Sequence, residues 1–347
     1  AGHGRLEAAK KLNLTKAPTI KLEHLTDQQR KAYILADNRI AVNSDWDNEL
    51  LSLELKDLNA EFDLTMLGFN EKELTALLEP EQIEGNTDED AVPEVPDEPT
   101  TKLEDIFKLG NHRLMCGDST DINSLEKLCL ENADLIFTDP PYGMSYGGGR
   151  AAGSTKKGAL VKAHGMIKND DFSGDTLITL IRDALTTSYT KCKKGAGLYA
   201  CFTWRTYAEF EKALEESGFT VKNCIVWNKK SIGLGNANYR PQHEFIFYCG
   251  GQWYGNKSES DVWELSRGAT SNYVHPTQKP VELVIRALNN SSKAGDIVID
   301  CFGGSGSTMI ASEKTGRHSR LMELDPKYCD VIIKRWEDFT GEKAELL

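Results

Sequence analysis

No apolar run in the sequence approaches the ~20 residues of a membrane-spanning helix, which argues against a membrane protein. The opening residues, Ala1-Gly2-His3-Gly4-Arg5, lack the apolar core of a signal peptide and also lack an initiator Met. The chain therefore reads as cut from something longer. Its eight cysteines are scattered, and none forms a Cys-x-x-Cys pair. That pattern speaks against a zinc site or a disulfide framework and for a reduced, cytoplasmic protein. Basic residues are missing from 80–100, and acidic residues are missing from 140–169 and from 217–243. No internal repeat is evident.

These absences partition the charge. The net charge of -12 on 347 residues looks wrong for a nucleic-acid binder. Residues 1–79 hold 10 Lys/Arg and 14 Asp/Glu, a net of -4; residues 80–100 hold eight acids, a net of -8; residues 101–347 hold 31 of each sign and are neutral. The global acidity thus says little about the large carboxyl-terminal part. Within that part, one acid-free segment carries Arg150, Lys156, Lys157, Lys162 and Lys168, and the other carries Lys222, Lys229, Lys230 and Arg240. Both suit a phosphate backbone, although solvated loops would look the same.

The first 79 residues read as short helices: 5–12, then a run to Ile40 behind an N-capping Thr26, then 47–60 and 70–79. His3-Gly4-Arg5 at a helix start could bind an anion. Residues 80–100, with crowded acids and Pro93, Pro96 and Pro99, predict an extended, poorly ordered linker and a domain boundary. From Leu103 onward strands alternate with helices. Strands are expected at 112–118, ending at Gly117-Asp118, and at 135–138, 197–202, 221–227, 244–248, 296–301 and 320–324. Helices are expected at 122–130, 177–189, 207–217, 280–291, 305–314 and 326–339, with 250–274 irregular. This alternation implies an α/β domain over 101–347 with a doubly wound, mostly parallel sheet.

Two stretches carry chemistry. The apolar run Ala133 to Phe137 ends abruptly in Thr138-Asp139-Pro140-Pro141-Tyr142. Two prolines stiffen that turn and remove two backbone donors, leaving carbonyls free to accept. A rigid carboxylate, a free carbonyl and a flat ring suit capture of an exocyclic amino group on a planar base. The second stretch is the buried strand 296–301 running into Phe302-Gly303-Gly304-Ser305-Gly306 and a helix, followed about twenty residues on by Glu323 and Asp325. In nucleotide-binding α/β folds an acid at that offset holds a ribose. The turn lacks the Gly-Lys-Ser/Thr of a phosphate-gripping loop, and Met309 stands where a dinucleotide fingerprint needs glycine.

Asp139-Pro140-Pro141-Tyr142, His275-Pro276-Thr277-Gln278-Lys279-Pro280, Phe302 to Gly306 and Glu323-Leu324-Asp325-Pro326 together resemble the motif set of the β group of amino DNA methyltransferases. The resemblance covers about residues 101–341 and implies a Rossmann-like, S-adenosylmethionine-dependent fold. It implies that Phe302, Gly303, Gly304, Ser305 and Gly306 hold the methionine part of S-adenosylmethionine, and that Glu323, with Asp325 beside it, holds the ribose. Asp118 would lie by the adenine, and His275, Thr277 and Lys279 would close over the carboxylate end. The opening residues resemble the latter part of a ParB/sulfiredoxin-like domain, a truncated remnant with a mainly helical character.

The implied partner is double-stranded DNA with the target base flipped out, and the resemblance leaves room for a homodimer and for a restriction-endonuclease partner. No metal is called for. Asp139 and Pro140 would hold the two amine hydrogens, Pro141 would stiffen the turn, and Tyr142 would stack on the base. A cytosine-ring enzyme would use a nucleophilic Cys after Pro, and no Pro-Cys occurs. Asp in the first tetrapeptide position leans towards adenine N6. Competing readings are cytosine N4, RNA, or a DNA-binding adaptor with an inactive fold. The target-recognition segment, about 228–274, is short, so brief or loose sequence recognition is expected. Trp204, Tyr239, Trp253 and Trp263 are candidate base stackers, with ordinary packing as the alternative.

Overall fold

The computed structural model describes residues 82–143, 171–232, 238–255, 259–266 and 278–347, together with part of 1–80: residues 10–11, 16, 24–40, 51–52, 54–55, 58, 64–67, 69, 73–74 and 77. The chain divides into two compact units, Ala1–Pro80 and Glu81–Leu347. In the first, helix α1 (Asp27–Ile40) begins at a reciprocal cap. Thr26 Oγ1 accepts from Gln29 N at 3.2 Å while Gln29 Oε1 accepts from Thr26 N at 3.0 Å. Leu35, Leu55, Leu58, Leu67 and Phe69 are among the residues of its small apolar core.

The second unit is built on one sheet of ten strands among the described residues, ordered β10-β1-β2-β9-β8-β3-β4-β6-β5-β7. In chain order the strands are β1 (Ile106–Leu109), β2 (His112–Cys116), β3 (Ala133–Thr138), β4 (Cys192–Phe202) and β5 (Asn223–Asn228), followed by β6 (His243–Tyr248), β7 (Val262–Glu264), β8 (Ile297–Asp300), β9 (His318–Glu323) and β10 (Glu345–Leu346). The helices are α2 (Ile122–Leu128), α3 (Asp175–Tyr189), α4 (Tyr207–Glu216), α5 (Val281–Ser291), α6 (Ser307–Lys314) and α7 (Pro326–Thr340). β2, β9, β8, β3 and β4 run parallel at the centre, and antiparallel pairs flank them on both sides. This is the doubly wound α/β architecture that the alternation implied.

β3 is apolar and almost wholly buried because it has a neighbour on each edge and a helix layer on each face. The larger core joins β3, β4, β6 and β8 to α3, α4 and α5. A second cluster packs Ile332 and Trp336 of α7 on Leu109, Leu114 and Leu321. Among the described residues no helix is long and apolar enough to cross a membrane.

Three elements depart from the sequence reading. β4 starts five residues earlier than expected, because its polar first half is held from outside: Lys193 Nζ donates to Asp134 at 2.7 Å. β7 arises in the stretch read as irregular, where only Trp263 of its three residues is buried. Trp263 is therefore a core residue and not a base stacker.

The third departure corrects the expectation of a poorly ordered linker. Residues 82–100 form a strap docked on the rest of the second unit. Ile83 N donates to Lys314 O at 2.9 Å, Asn86 N to Phe339 O at 2.8 Å, and Arg335 Nη2 to Glu89 O at 2.7 Å. Glu89 pairs with Lys314, and Asp90 accepts from Val281 N at 2.9 Å at the start of α5. Asp330 accepts from Thr100 N and from Thr101 Oγ1. Two of the acids that look mutually repulsive in sequence, Glu89 and Asp90, meet a cation and a helix amino terminus supplied by residues far downstream.

Gly85 marks the closest approach of the strap, since a Cβ there would overlap the Phe339 ring. Gly85→Val should therefore undock the strap, and limited proteolysis should cut within 86–100 much faster than in the wild-type protein while cleavage elsewhere in the second unit is unchanged.

Candidate active site

The sheet reverses its winding between β3 and β8. From β3 the chain crosses to β4 on one side; from β8 it crosses to β9 on the other. The two strands are hydrogen-bonded neighbours, with Leu135 opposite Val298 and Ile136 opposite Ile299. At such a switch point the loops leaving the carboxyl ends diverge and leave a crevice. β2 and β9 end beside it, with Cys116 opposite Glu323. A cavity of about 1130 Å³, including its open mouth, occupies this place. Its lining brings together Asp118, Asp139 to Tyr142, Lys279, Phe302 to Ser305, Glu323 and Asp325. These are the expected site residues that lie within the described part of that region, apart from Gly306. His275, Thr277, Arg150, Lys156, Lys157, Lys162 and Lys168 lie outside the described residues, as do His3 and Arg5.

The glycine turn is held in place from below. Gly306 caps α6 with φ +84°, and Gly304 has φ +54°, left-handed values that a β-branched residue resists. Gly304 N donates to Glu323 Oε2 and Asp325 N to Glu323 Oε1, both at 2.8 Å. The carboxylate of Glu323 is thereby oriented at the cavity wall by two backbone donors. Asp325 also caps α7 through Lys327 N, and Asp118 closes a local turn with Thr120. Arg335 donates to Ser305 O at 2.8 Å, tying the turn to the same guanidinium that holds the strap.

On the other side, Asp139 carries a dense set of contacts. Lys279 Nζ donates to its Oδ1 at 2.8 Å and Oδ2 at 2.7 Å, and Tyr142 Oη donates to Oδ1 at 2.7 Å. Lys279 Nζ also lies 2.9 Å from Tyr142 Oη and 3.4 Å from Glu244 Oε2. Burial pushes the Asp139 carboxyl above its ordinary range, against the pull of Lys279. Burial pulls the Lys279 ammonium towards a lower pKa, but Asp139 and Glu244 outweigh it and hold the ammonium above its ordinary range. Tyr142 is pushed up by burial and by the adjacent carboxylates. Its ring meets Phe210 edge-on.

Lys279 was expected at the carboxylate end of the cofactor; the structure places its ammonium on Asp139. Lys229 is turned inward, 13% exposed, paired with Glu244 and lying over the Trp227 ring. It is not a surface cation, unlike the half-exposed Lys230, which reaches Glu264 at 3.4 Å, and the exposed Arg240. Both stand at the carboxyl edge of the sheet, past β5 and just before β6. Trp204, 65% exposed beneath Arg205, and Tyr239, 94% exposed, share that edge; Trp253 packs on Tyr248.

Two site residues escaped the sequence reading. Glu244 sits at the start of β6 in a run of aromatic strand residues, where nothing local marks it. Asp300, at the end of β8, lines the cavity and is 3% exposed. It accepts from Thr308 Oγ1 at 2.6 Å, Phe302 N at 3.1 Å and Thr138 Oγ1 at 3.2 Å. Its position directly before the glycine turn was the available signal. Burial, the largest influence, drives its pKa up to about 7 despite these donors.

A family model described as DNA methylase matches residues 133–335, and one described as ParB-methyltransferase HTH domain matches residues 49–103. The chain is 27% identical over 249 residues to the Type II methyltransferase M.HinfI of Haemophilus influenzae, covering 62% of this chain and 66% of that protein. It is 26% identical over 253 residues to the Type II methyltransferase M2.DpnII of Streptococcus pneumoniae, covering 65% and 90%. Solved structures similar to it include the M1.HpyAVI–SAM complex, 22% identical, TM-score 0.47, covering 64% of this chain and 98% of that one. Another is PvuII DNA methyltransferase (cytosine-N4-specific), 15% identical, TM-score 0.49, covering 66% and 87%.

Asp300 makes stability depend on pH. Between its ordinary value of 3.8 and about 7, the unfolded chain releases a proton that the folded protein keeps. Stability therefore falls as pH rises through that window, by about 4 kcal/mol from this group. Urea unfolding at stepped pH should show this loss, and Asp300→Asn should remove it; equal slopes in both proteins would contradict the assignment.

Proposed function

The chain belongs to the N6/N4 DNA methylase family, and from that premise we propose that it transfers the methyl group of S-adenosylmethionine to the exocyclic N6 of adenine in DNA. The reading is carried by one observation: Asp139 and the glycine turn, on adjacent strand tips, line the same cavity.

The cavity fits the donor chemically. Glu323, its carboxylate oriented by two amides, suits a ribose diol. The Gly303-Gly304-Ser305 backbone allows close approach of the amino-acid end, and Asp118 stands on the adenosine side beside Glu323. When bound there, the cofactor supplies an electrophilic methyl group on a sulfonium.

The chain's own task is to make a poor nucleophile attack. The lone pair of an exocyclic amine is delocalised into its ring. The Asp139 carboxylate and the Pro140 carbonyl accept its two hydrogens, favour a pyramidal nitrogen and aim the lone pair across the cavity. Positioning and charge complementarity do most of this work. Asp139 is mainly an orienting acceptor, and its raised pKa also suits it to take the proton the amine sheds. Tyr142 offers its ring to a base that has left the duplex. Asp in the first position of the tetrapeptide, where Ser is commoner among cytosine-N4 enzymes, favours adenine. Lys230 and Arg240, at the same sheet edge, supply phosphate contacts.

Incubation with labelled S-adenosylmethionine and unmethylated DNA, followed by nucleoside mass spectrometry, should yield N6-methyladenine; N4-methylcytosine would change the base but not the chemistry. Asp139→Ala should lower transfer by at least ~10³-fold with cofactor affinity retained. Gly304→Val, at a left-handed φ in the turn, should instead weaken cofactor binding at least about tenfold by calorimetry.

A further inference from the structure

Lys279 is 4% exposed, and its ammonium takes both oxygens of Asp139 at once. It also lies 5.1 Å from the centroid of the Tyr142 ring. A nitrogen donor held by that carboxylate against that ring is what the reaction asks of its substrate. An ammonium and an exocyclic amine are both N–H donors, so they compete for the same acceptors. The target amine therefore needs Lys279 to withdraw.

The surroundings provide for such a withdrawal. Glu244 Oε2 is already 3.4 Å from Lys279 Nζ, on β6, an element independent of the tip of β3. Moving from one carboxylate to the other keeps the buried cation paired throughout, which avoids the several kcal/mol that a lone buried charge costs. The backbone of Lys279 is pinned on both sides. Ser307 Oγ donates to its carbonyl at 2.8 Å, Gln278 Nε2 to Asp90 O at 2.8 Å, and Val281 N to Asp90 Oδ1 at 2.9 Å. Only the side chain is left to move. Lys229, bound to Glu244 on its far side, fixes the receiving carboxylate.

We propose that Lys279 is a seat-holder for the target amine: its ammonium occupies the Asp139 acceptors while no base is bound and transfers to Glu244 when one enters. Glu244 is then a positioning residue, and the cost of admitting a base depends on how well it receives the ammonium. The proposal rests on the amino-methylation reading above.

Steady-state methylation of unmethylated DNA by the full chain tests it. Glu244→Gln keeps the volume but weakens the receiving site, so KM for DNA should rise about tenfold, more than kcat falls, with cofactor affinity within about twofold. A KM for DNA at the wild-type value overturns the proposal. Lys279→Met vacates the seat, and DNA binding in the presence of S-adenosylhomocysteine should tighten about tenfold; equal or weaker binding overturns it independently. A wild-type chain that methylates no DNA overturns both this inference and the reading beneath it. Wild-type transfer with an unchanged KM in Glu244→Gln removes the inference alone.

Discussion

Everything in the second unit depends on the hydrogen-bonded pairing of β3 with β8, two parallel strands separated by nearly half the chain. Because their crossovers leave in opposite directions, no connection covers the carboxyl ends of the pair. Asp139 stands on one rim of that opening and the Phe302–Ser305 turn on the other. A one-residue slip in register would exchange inward and outward side chains along a whole strand and remove one half of the site. The cores on the two faces of the sheet hold that register.

The second organising feature is buried charge. Asp139, Lys279, Glu244 and Lys229 form an alternating chain of opposite charges running from the tip of β3 to the end of β5. Such a network is costly to bury and justified only when every member is paired, which gives it specificity of geometry more than stability. Arg335 plays a similar part on the opposite flank, donating both to the glycine turn and to the strap. The strap in turn holds Gln278 and Val281 on either side of Lys279. The acidic segment that carries most of the chain's net negative charge is thus part of the scaffold of the site.

The sequence was legible wherever local pattern and tertiary environment agree. β3 is buried on both faces, so its apolar run could be read directly, and the turn after β8 is rich in glycine, which takes the left-handed φ of Gly304 and Gly306 without strain. The polar first half of β4 hid because Lys193 is satisfied by Asp134 on another strand. β7 hid because three residues around one buried Trp263 leave no periodicity. The strap hides in the sequence because its partners, Lys314 on the Glu89 carboxylate and Arg335 on the Glu89 carbonyl, lie more than two hundred residues away.

The order of elements, the two chemical stretches and their residue types are matters of local physics: apolar runs, prolines that stiffen, glycines that permit. They stand in the sequence by itself. Which acid meets which cation was decided only by the fold, because Coulombic pairing acts through space and not along the chain. Lys279 on Asp139, Glu244 as its second partner, and Glu89 and Asp90 of the strap on α6 and α5 became visible only when the strands were set side by side.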